Sequence, residues 1–404
     1  MTTYLQNDLE QLYWAQFHAP ESQDQIIAQH IESIKGYDRY IFTLCFECEY
    51  YEHGGYEFFK RFFEAFKGDY VLVQNAVYRN HEPVTKHTIF FNYFEWEAYY
   101  RLIKTRSVAH NLTWNRSADH FLLYTGQPNK PHKTRMIWKL DQLNLLEQAH
   151  YSLHINEPSI EFAHKFIPEL THTEFVEWVH NRNKHLDGEY WKNPGVIGPK
   201  RSAEAFLEQH EWFARSQFRL LLGGAFGDTQ TPWITEREYI TFLNCVPFIY
   251  AGDEGALDVL QAQGFETYQD YVGFTNYNNI YDLPKTQSKD PMNPYEDYRK
   301  HYDAVRAHEW PDRLPFDQCE YAECKDHVDR CKRTEQRMDT VITCVRDWLE
   351  AMPDVSAQVE HNYYHAISRG CELEKTLVDL CKFVKIEPTV ENYDKVLYVT
   401  HEYS

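Results

Sequence analysis

Two stretches of this sequence gather glycine, cations and helix-opening residues in the way an anion-binding turn requires. The first is Gly126-Gln127-Pro128-Asn129-Lys130-Pro131-His132-Lys133-Thr134-Arg135, which follows the β-like run HFLLYT. Gly126 lets the chain turn sharply, and the helix after it would present free amides and the positive end of its dipole. Lys130, His132, Lys133 and Arg135 add charge in a chain otherwise rich in acids. An ordinary strand-to-helix turn with solvated cations would carry the same residues. The second stretch is Gly223-Gly224-Ala225-Phe226-Gly227-Asp228 followed by Ile234-Thr235-Glu236-Arg237, with Arg219 on the apolar run just before it. Thr235 is a good N-cap, and Glu236 and Glu238 suit a first helical turn, so capping accounts for part of this pattern. Beyond it come Val246-Pro247-Phe248-Ile249 and Gly252, a return to a buried strand that ends in a glycine turn, as a pocket wall does.

A third group could handle protons. Glu47, Glu49 and His53 lie between the strand-like run YDRYIFTLCFE and Gly54-Gly55, where a general base could face a ligand. Solvated loop carboxylates are the plain alternative. The thiols point to little chemistry. Cys319, Cys324, Cys331 and Cys344 are separated by four, six and twelve residues, which fits no common zinc pattern. Cys45 and Cys48 spell C-x-x-C at a strand end, a setting for packing more than for a redox pair.

The elements that must position these residues follow from periodicity. Residues 1–35 read as a polar helical segment, with an amphipathic stripe in QIIAQHIESI. From 36 to 117 the runs YDRYIFTL, YEFFKRFFEAF, YVLVQNAVY and HTIFFNYF alternate strand, helix, strand and strand, which predicts a small doubly wound α/β domain. Residues 118–290 repeat the theme with HFLLYT, TRMIWKLDQLNLLEQ, AHYSLHIN, FRLLLGG, ITEREYITFL and VPFIYAG. Open parallel sheets bind ligands at the carboxyl ends of their strands, which is where both glycine turns fall. From 291 to 404 the chain is charged and mostly helical. Val341, Val345, Trp348 and Leu349 there would pack within the chain or form a dimer face.

Length and composition set bounds. The chain has 404 residues, beyond what one core usually organises, and 43% of them are apolar. Its 41 basic and 61 acidic residues give a net charge of −20, which disfavours DNA or RNA as a partner. No apolar run is long enough to span a membrane, the N-terminus lacks the pattern of a signal peptide, and nine cysteines form no framework. A cytoplasmic protein is the expectation. Neither a G-x-G-x-x-G after the first strand nor a P-loop is present, which argues against a dinucleotide oxidoreductase.

The run from Phe218 to Gly252 resembles the donor-binding region of fucosyltransferase-like enzymes, with their (I/V)-T-E-K helix start and following VPV strand. Virus- and phage-encoded glycosyltransferase-like proteins show a closer version: Thr235-Glu236-Arg237, Pro247-Phe248-Ile249, Gly252, Leu257, Leu260, Gly264-Phe265 and Thr267 follow their order, and Gly126–Arg135 is similar to their P-x-P-H-R run. The likeness covers about 160 residues. It implies a GT-B-type architecture: two Rossmann-like domains facing across a cleft, an acceptor-side domain at 36–117, a donor domain at 118–290 and a helical C-terminal region. It also implies a glycosyltransferase that uses a nucleotide-diphosphate sugar, with Glu236 on the ribose hydroxyls and Arg237, in place of the usual Lys, on the diphosphate. Gly126, Lys130, His132, Arg135, Arg219, Gly223 and Thr235 would complete the donor site. Gly223-Gly224-Ala225 stands where those enzymes have an acidic-polar turn, so neither fucose nor guanine follows from the resemblance. No D-x-D occupies a strand end, so the leaving diphosphate would be stabilised by cations, without a required metal. The base for a hydroxyl acceptor would come from Glu49, Glu47 or His53. The acceptor would be a glycan or another hydroxyl compound, or a hydroxymethylated DNA base in a phage, which the net charge disfavours. A non-catalytic nucleotide- or glycan-binding module on the same fold is the other expectation.

Overall fold

The apolar runs become parallel strands, and each sheet is organised by how its strands follow one another. The structure is a computed structural model. It describes residues 3–9, 12, 23–44, 55–75, 82–104, 114–124, 131–153, 155, 157–164, 167–183, 212–223, 234–252, 255–268 and 325–397, with the backbone alone at 101, 104, 131, 132, 157–159, 162 and 325–335. The chain is α/β, with two four-stranded parallel sheets. It divides into two compact units: the described parts of Met1–Glu97 and Ser368–Ser404 belong to the first, and those of Ala98–Pro291 and Arg299–Ile367 to the second.

In the first unit β1 (Tyr4–Asp8), β2 (Arg39–Leu44), β3 (Tyr70–Asn75) and β4 (Thr88–Phe91) lie in the order β1-β2-β3-β4. The expected polar helix at the N-terminus is corrected at Tyr4–Asp8, which pairs in register with Arg39–Thr43. Pairing along the edge of β2 overrides the weak local preference of a polar segment. The expected double winding is corrected too, because among the described residues the strand order runs in one direction without a reversal. The core agrees with a single winding. Leu5, Tyr40, Phe42, Leu44, Tyr70, Leu72 and Phe90 share one face by register, and that face packs on both α1 (Gln23–Ser33) and α2 (Gly55–Ala65). Helix α2 is built for this: Phe58, Phe59, Phe62 and Phe63 recur at helical spacing and are all buried. Phe42 meets Phe62, Phe63 and Phe66 edge-on at 5.4, 5.5 and 5.1 Å, a favoured aromatic geometry.

Beyond β4, Asn92 caps α3 (Tyr93–Tyr99) by accepting from the Glu95 amide at 3.1 Å. The Glu95 carboxylate, 1% exposed, receives Nε and Nη2 of Arg369 in a bidentate pair.

In the second unit β5 (His120–Leu123), β6 (Ala149–Tyr151), β7 (Ser216–Leu222) and β8 (Phe248–Ala251) are ordered β6-β5-β7-β8. The chain moves outward from β5 to β6, then returns across β5 to place β7 and β8 on its other side. The order therefore reverses between β5 and β7. Helices α4 (Pro131–Gln142), α5 (Glu157–His164), α6 (His172–Arg182), α7 (Glu236–Leu243) and α8 (Ala256–Ala262) connect or follow these strands. Of the C-terminal region expected to be helical, the described residues 325–397 form α9 (Lys325–Ala351), α10 (Ser356–Val384) and α11 (Val390–Leu397). Val341, Val345 and Trp348 are buried within the chain, and Trp348 packs on Phe218 of β7 at 5.4 Å. No described helix is long and apolar enough to cross a membrane.

Replacing Arg369 with alanine strands the Glu95 carboxylate in the first unit's interior. Urea unfolding followed by circular dichroism is expected to show a loss of about 3 kcal/mol, and a loss below about 0.5 kcal/mol would show that the pair is dispensable.

Candidate functional site

A sheet whose order reverses leaves a crevice beyond the carboxyl ends of the two strands at the reversal. In the second unit those strands are β5, ending at Leu123, and β7, ending at Leu222. Gly223 continues the β7–β8 pairing by donating its amide to Ala251 at 2.8 Å. After β7 the chain enters α7, whose first turn holds the T-E-R-E sequence.

That turn is locked by a capping box. The Thr235 amide donates to Glu238 Oε2 at 2.8 Å, and Thr235 Oγ1 donates to the same oxygen at 3.1 Å. Thr235 Oγ1 in turn accepts from the Arg237 amide at 3.4 Å. From β7 below, Arg219 Nη1 donates to the Arg237 carbonyl at 3.1 Å and to Thr241 Oγ1 at 2.7 Å. Thr241 Oγ1 itself donates to the Arg237 carbonyl at 2.8 Å. The backbone at Arg237 is thus held from the cap and from the sheet.

Two of these groups are costly to bury. Arg219 is 2% exposed and Glu238 is fully buried, and both Arg219 Nε and Glu238 Oε1 lack a hydrogen-bond partner. Burial, with Arg237 nearby, holds the Arg219 guanidinium down to about 10, so it stays protonated at neutral pH. Burial pushes the Glu238 carboxyl up to about 7, against the Thr235 hydrogen bond that favours its charge. By contrast Glu236 and Arg237 are partly exposed, with side chains 27% and 21% accessible and Glu236 Oε1 3.9 Å from Arg237 Nε. This arrangement sets an accessible carboxylate and guanidinium side by side on a rigid turn, which suits a polar ligand carrying hydroxyls and negative charge.

The other expected residues fall apart into three cases. Arg135 is 8% exposed, its fork filled by Glu169 with two contacts of 2.6 Å, and its plane lies 4.9 Å from the Trp138 ring centre. Burial opposes the Glu169 charge, but the Arg135 hydrogen bonds outweigh it and hold that carboxyl below its ordinary value. Arg135 therefore anchors α4 to the segment before α6. His132 lies in α4, with only its backbone described. Gly126, Lys130, Glu47, Glu49, His53, Cys45, Cys48, Cys319 and Cys324 lie outside the described residues. Cys344 is buried, and burial pushes its thiol up to about 12. Among the described residues no three His, Cys, Asp or Glu side chains converge to hold a metal ion.

The downstream motif has a structural role. Gly264, at φ +94°, ends α8: its amide donates to Gln261 at 2.8 Å and that of Phe265 to Leu260 at 3.0 Å, a Schellman stop. Phe265 then stacks on Phe242 of α7 at 4.1 Å, joining the end of α8 to the site helix. Asn362 clasps the next turn, accepting from the Glu266 amide at 2.8 Å and donating to its carbonyl at 2.9 Å. Sequence reasoning missed Arg337. It sits fully buried on α9 and donates to the Gly252 carbonyl at the end of β8. It also read Glu238 only as a first-turn acid; the T-x-x-E spacing does signal the box, but not its burial.

Comparison with protein-family models, with curated proteins and with solved structures finds no match to this chain.

The Glu238 carboxyl makes stability depend on pH with a definite sign. The folded group keeps its proton up to about 7, whereas an exposed one releases it near 4.5. Between those values the folded chain binds more protons, so stability falls as pH rises through the window and levels off above it. Glu238→Gln removes this term. Relative to wild type, the variant is expected to gain up to roughly 3 kcal/mol between pH 4 and pH 8. Parallel profiles in denaturant titrations would mean that Glu238 ionises as a surface carboxylate does.

Proposed function

We propose that this chain is a glycosyltransferase that takes a nucleotide-diphosphate sugar at the carboxyl edge of the second sheet and passes the sugar to a hydroxyl acceptor. Glu236 would accept from the ribose hydroxyls, and Arg237 would pair with the diphosphate through its planar fork. The observation that carries the proposal is the partly exposed Glu236–Arg237 pair on the first turn of α7, the next described element after the strand at which the sheet order reverses. The resemblance of Phe218–Gly252 to nucleotide-sugar enzymes supports the same reading. The finer architecture, with the second sheet as the core of a Rossmann-like donor domain in a two-domain GT-B-type enzyme, is part of the proposal. So is an acceptor base drawn from Glu49, Glu47 or His53.

One observation favours a second reading, a nucleotide-binding module without sugar transfer. Of the cations expected to stabilise a leaving diphosphate, Arg135 is engaged by Glu169 and Arg219 is buried beneath α7. Arg237 is then the expected donor-site cation that reaches solvent among the described residues. Nucleotide binding with no release of nucleoside diphosphate from any sugar donor would decide for this reading.

Calorimetric titration with uridine, guanosine, adenosine, cytidine and thymidine diphosphates tests the site itself. One nucleotide should bind, and Glu236→Ala and Arg237→Ala should each weaken it at least tenfold, about 1.4 kcal/mol. Binding that survives both substitutions, or no binding at all, would remove the donor site from α7.

A further inference from the structure

Glu238 stands in the same first turn of α7 as the two side chains proposed to hold the nucleotide, and its carboxyl is the least well satisfied charge in that turn. Oε2 is engaged by the amide and hydroxyl of Thr235, while Oε1 is buried without a partner. The charged groups that act on it are few. On its own helix, Arg237 favours its negative charge and Glu236 opposes it. From β7, the buried Arg219 is coupled to it, and Tyr124, just beyond β5, acts on Arg219. Arg219 spends its hydrogen bonds on the Arg237 carbonyl and Thr241, not on the carboxyl. The ionised form of Glu238 is favoured first by the Thr235 amide and its own amide, and after them by Arg237, the side chain that would turn to a diphosphate.

We infer that Glu238 takes up a proton when a nucleotide diphosphate seats against Glu236 and Arg237, so that anion binding and protonation of this buried carboxyl are one linked event. The inference rests on the donor site proposed above and adds its regulation. Two effects of the ligand act in the same direction. A diphosphate pairing with Arg237 offsets the cation that stabilises the carboxylate, and its own negative charge adds repulsion through a low-dielectric interior. The proton comes from solvent, and no bond to the ligand is made or broken. Burial already brings the group to the threshold, since its carboxyl is pushed up to about 7 before any ligand arrives. The fold thereby makes the site tighter in acid and looser in base, through a residue that need not touch the ligand.

The test is calorimetric titration with UDP-glucose, GDP-mannose, ADP-glucose and dTDP-glucose, whose diphosphates carry no group titrating near neutrality. Each titration is repeated at pH 7.5 in buffers of different ionisation enthalpy. The probe that binds should take up about half a proton per molecule, and its Kd should weaken about five- to tenfold from pH 6 to pH 8. Glu238→Gln should bind the same probe with no proton uptake and a flat pH profile. Binding without proton uptake in the wild type overturns the inference and leaves the donor site standing. Uptake that persists in Glu238→Gln overturns it in the same way. If no probe binds wild type at any pH, the donor site falls and the linkage with it. Should the variant not fold, the wild-type proton count alone decides.

Discussion

Parallel strands bury both faces of their sheet, and that requirement organises each unit of this chain. In the first unit α1 and α2 occupy one face, because the strand order never reverses. The opposite face carries Ile41, Val73 and Phe91, all fully buried, with Tyr4 and Arg39 along the same register. Those positions meet the C-terminal helices: Arg39 lies 5.0 Å over the ring of Phe383 in α10, and Tyr4 feels the charge of Lys395 in α11. The C-terminal helices close the sheet that the first strands open. In the second unit the two faces of β7 divide the work. Phe218 meets Trp348 of α9, while its neighbour Arg219 points the other way to the first turn of α7.

Burying both faces creates a problem of charge, and the two units handle it differently. Glu95 and Arg369 neutralise each other in a bidentate pair, the arrangement in which an interior tolerates ions. Arg219 and Glu238 do not. Each is hydrogen-bonded to the backbone or hydroxyls of α7, and each keeps one polar atom unsatisfied. An unsatisfied buried polar atom costs about 1–3 kcal/mol, a cost at odds with mere packing, since an apolar strand residue at 219 would suit the sheet.

Most elements were legible in the sequence because their signals are dense. The repeated Phe of α2, the continuous apolar runs of β2 and β7, and the Thr-x-x-Glu start of α7 each match one periodicity or cap. What was not legible depends on distant pairing. Tyr4–Asp8 has the composition of a polar helix and becomes a strand only because β2 offers it an edge. Single winding in the first unit follows from which strand lies next to which, and no local pattern encodes that. Among the expected site residues, Glu236 and Arg237 keep part of their side chains at the surface. Arg135 carried the same sequence signal and is spent on Glu169, a partner 34 positions away. Arg337 left no signal, since one arginine in a charged helix looks like any other until a strand end is set against it.

The division of one helical turn between support and contact explains why those four residues belong together. Thr235 and Glu238 lie three positions apart and close the cap, while Glu236 and Arg237 fall between them and turn outward. The Arg237 amide is held by Thr235 and its carbonyl by Arg219, so its side chain departs from a fixed backbone. In the proposed site, a contact launched from such a backbone would lose little further freedom on gripping a ligand, which is where preorganised sites gain their affinity. The same rigidity ties the contact to the cap. Any change in the charge of Glu238 acts on the hydrogen bonds that hold Thr235, and so on the turn from which Glu236 and Arg237 project.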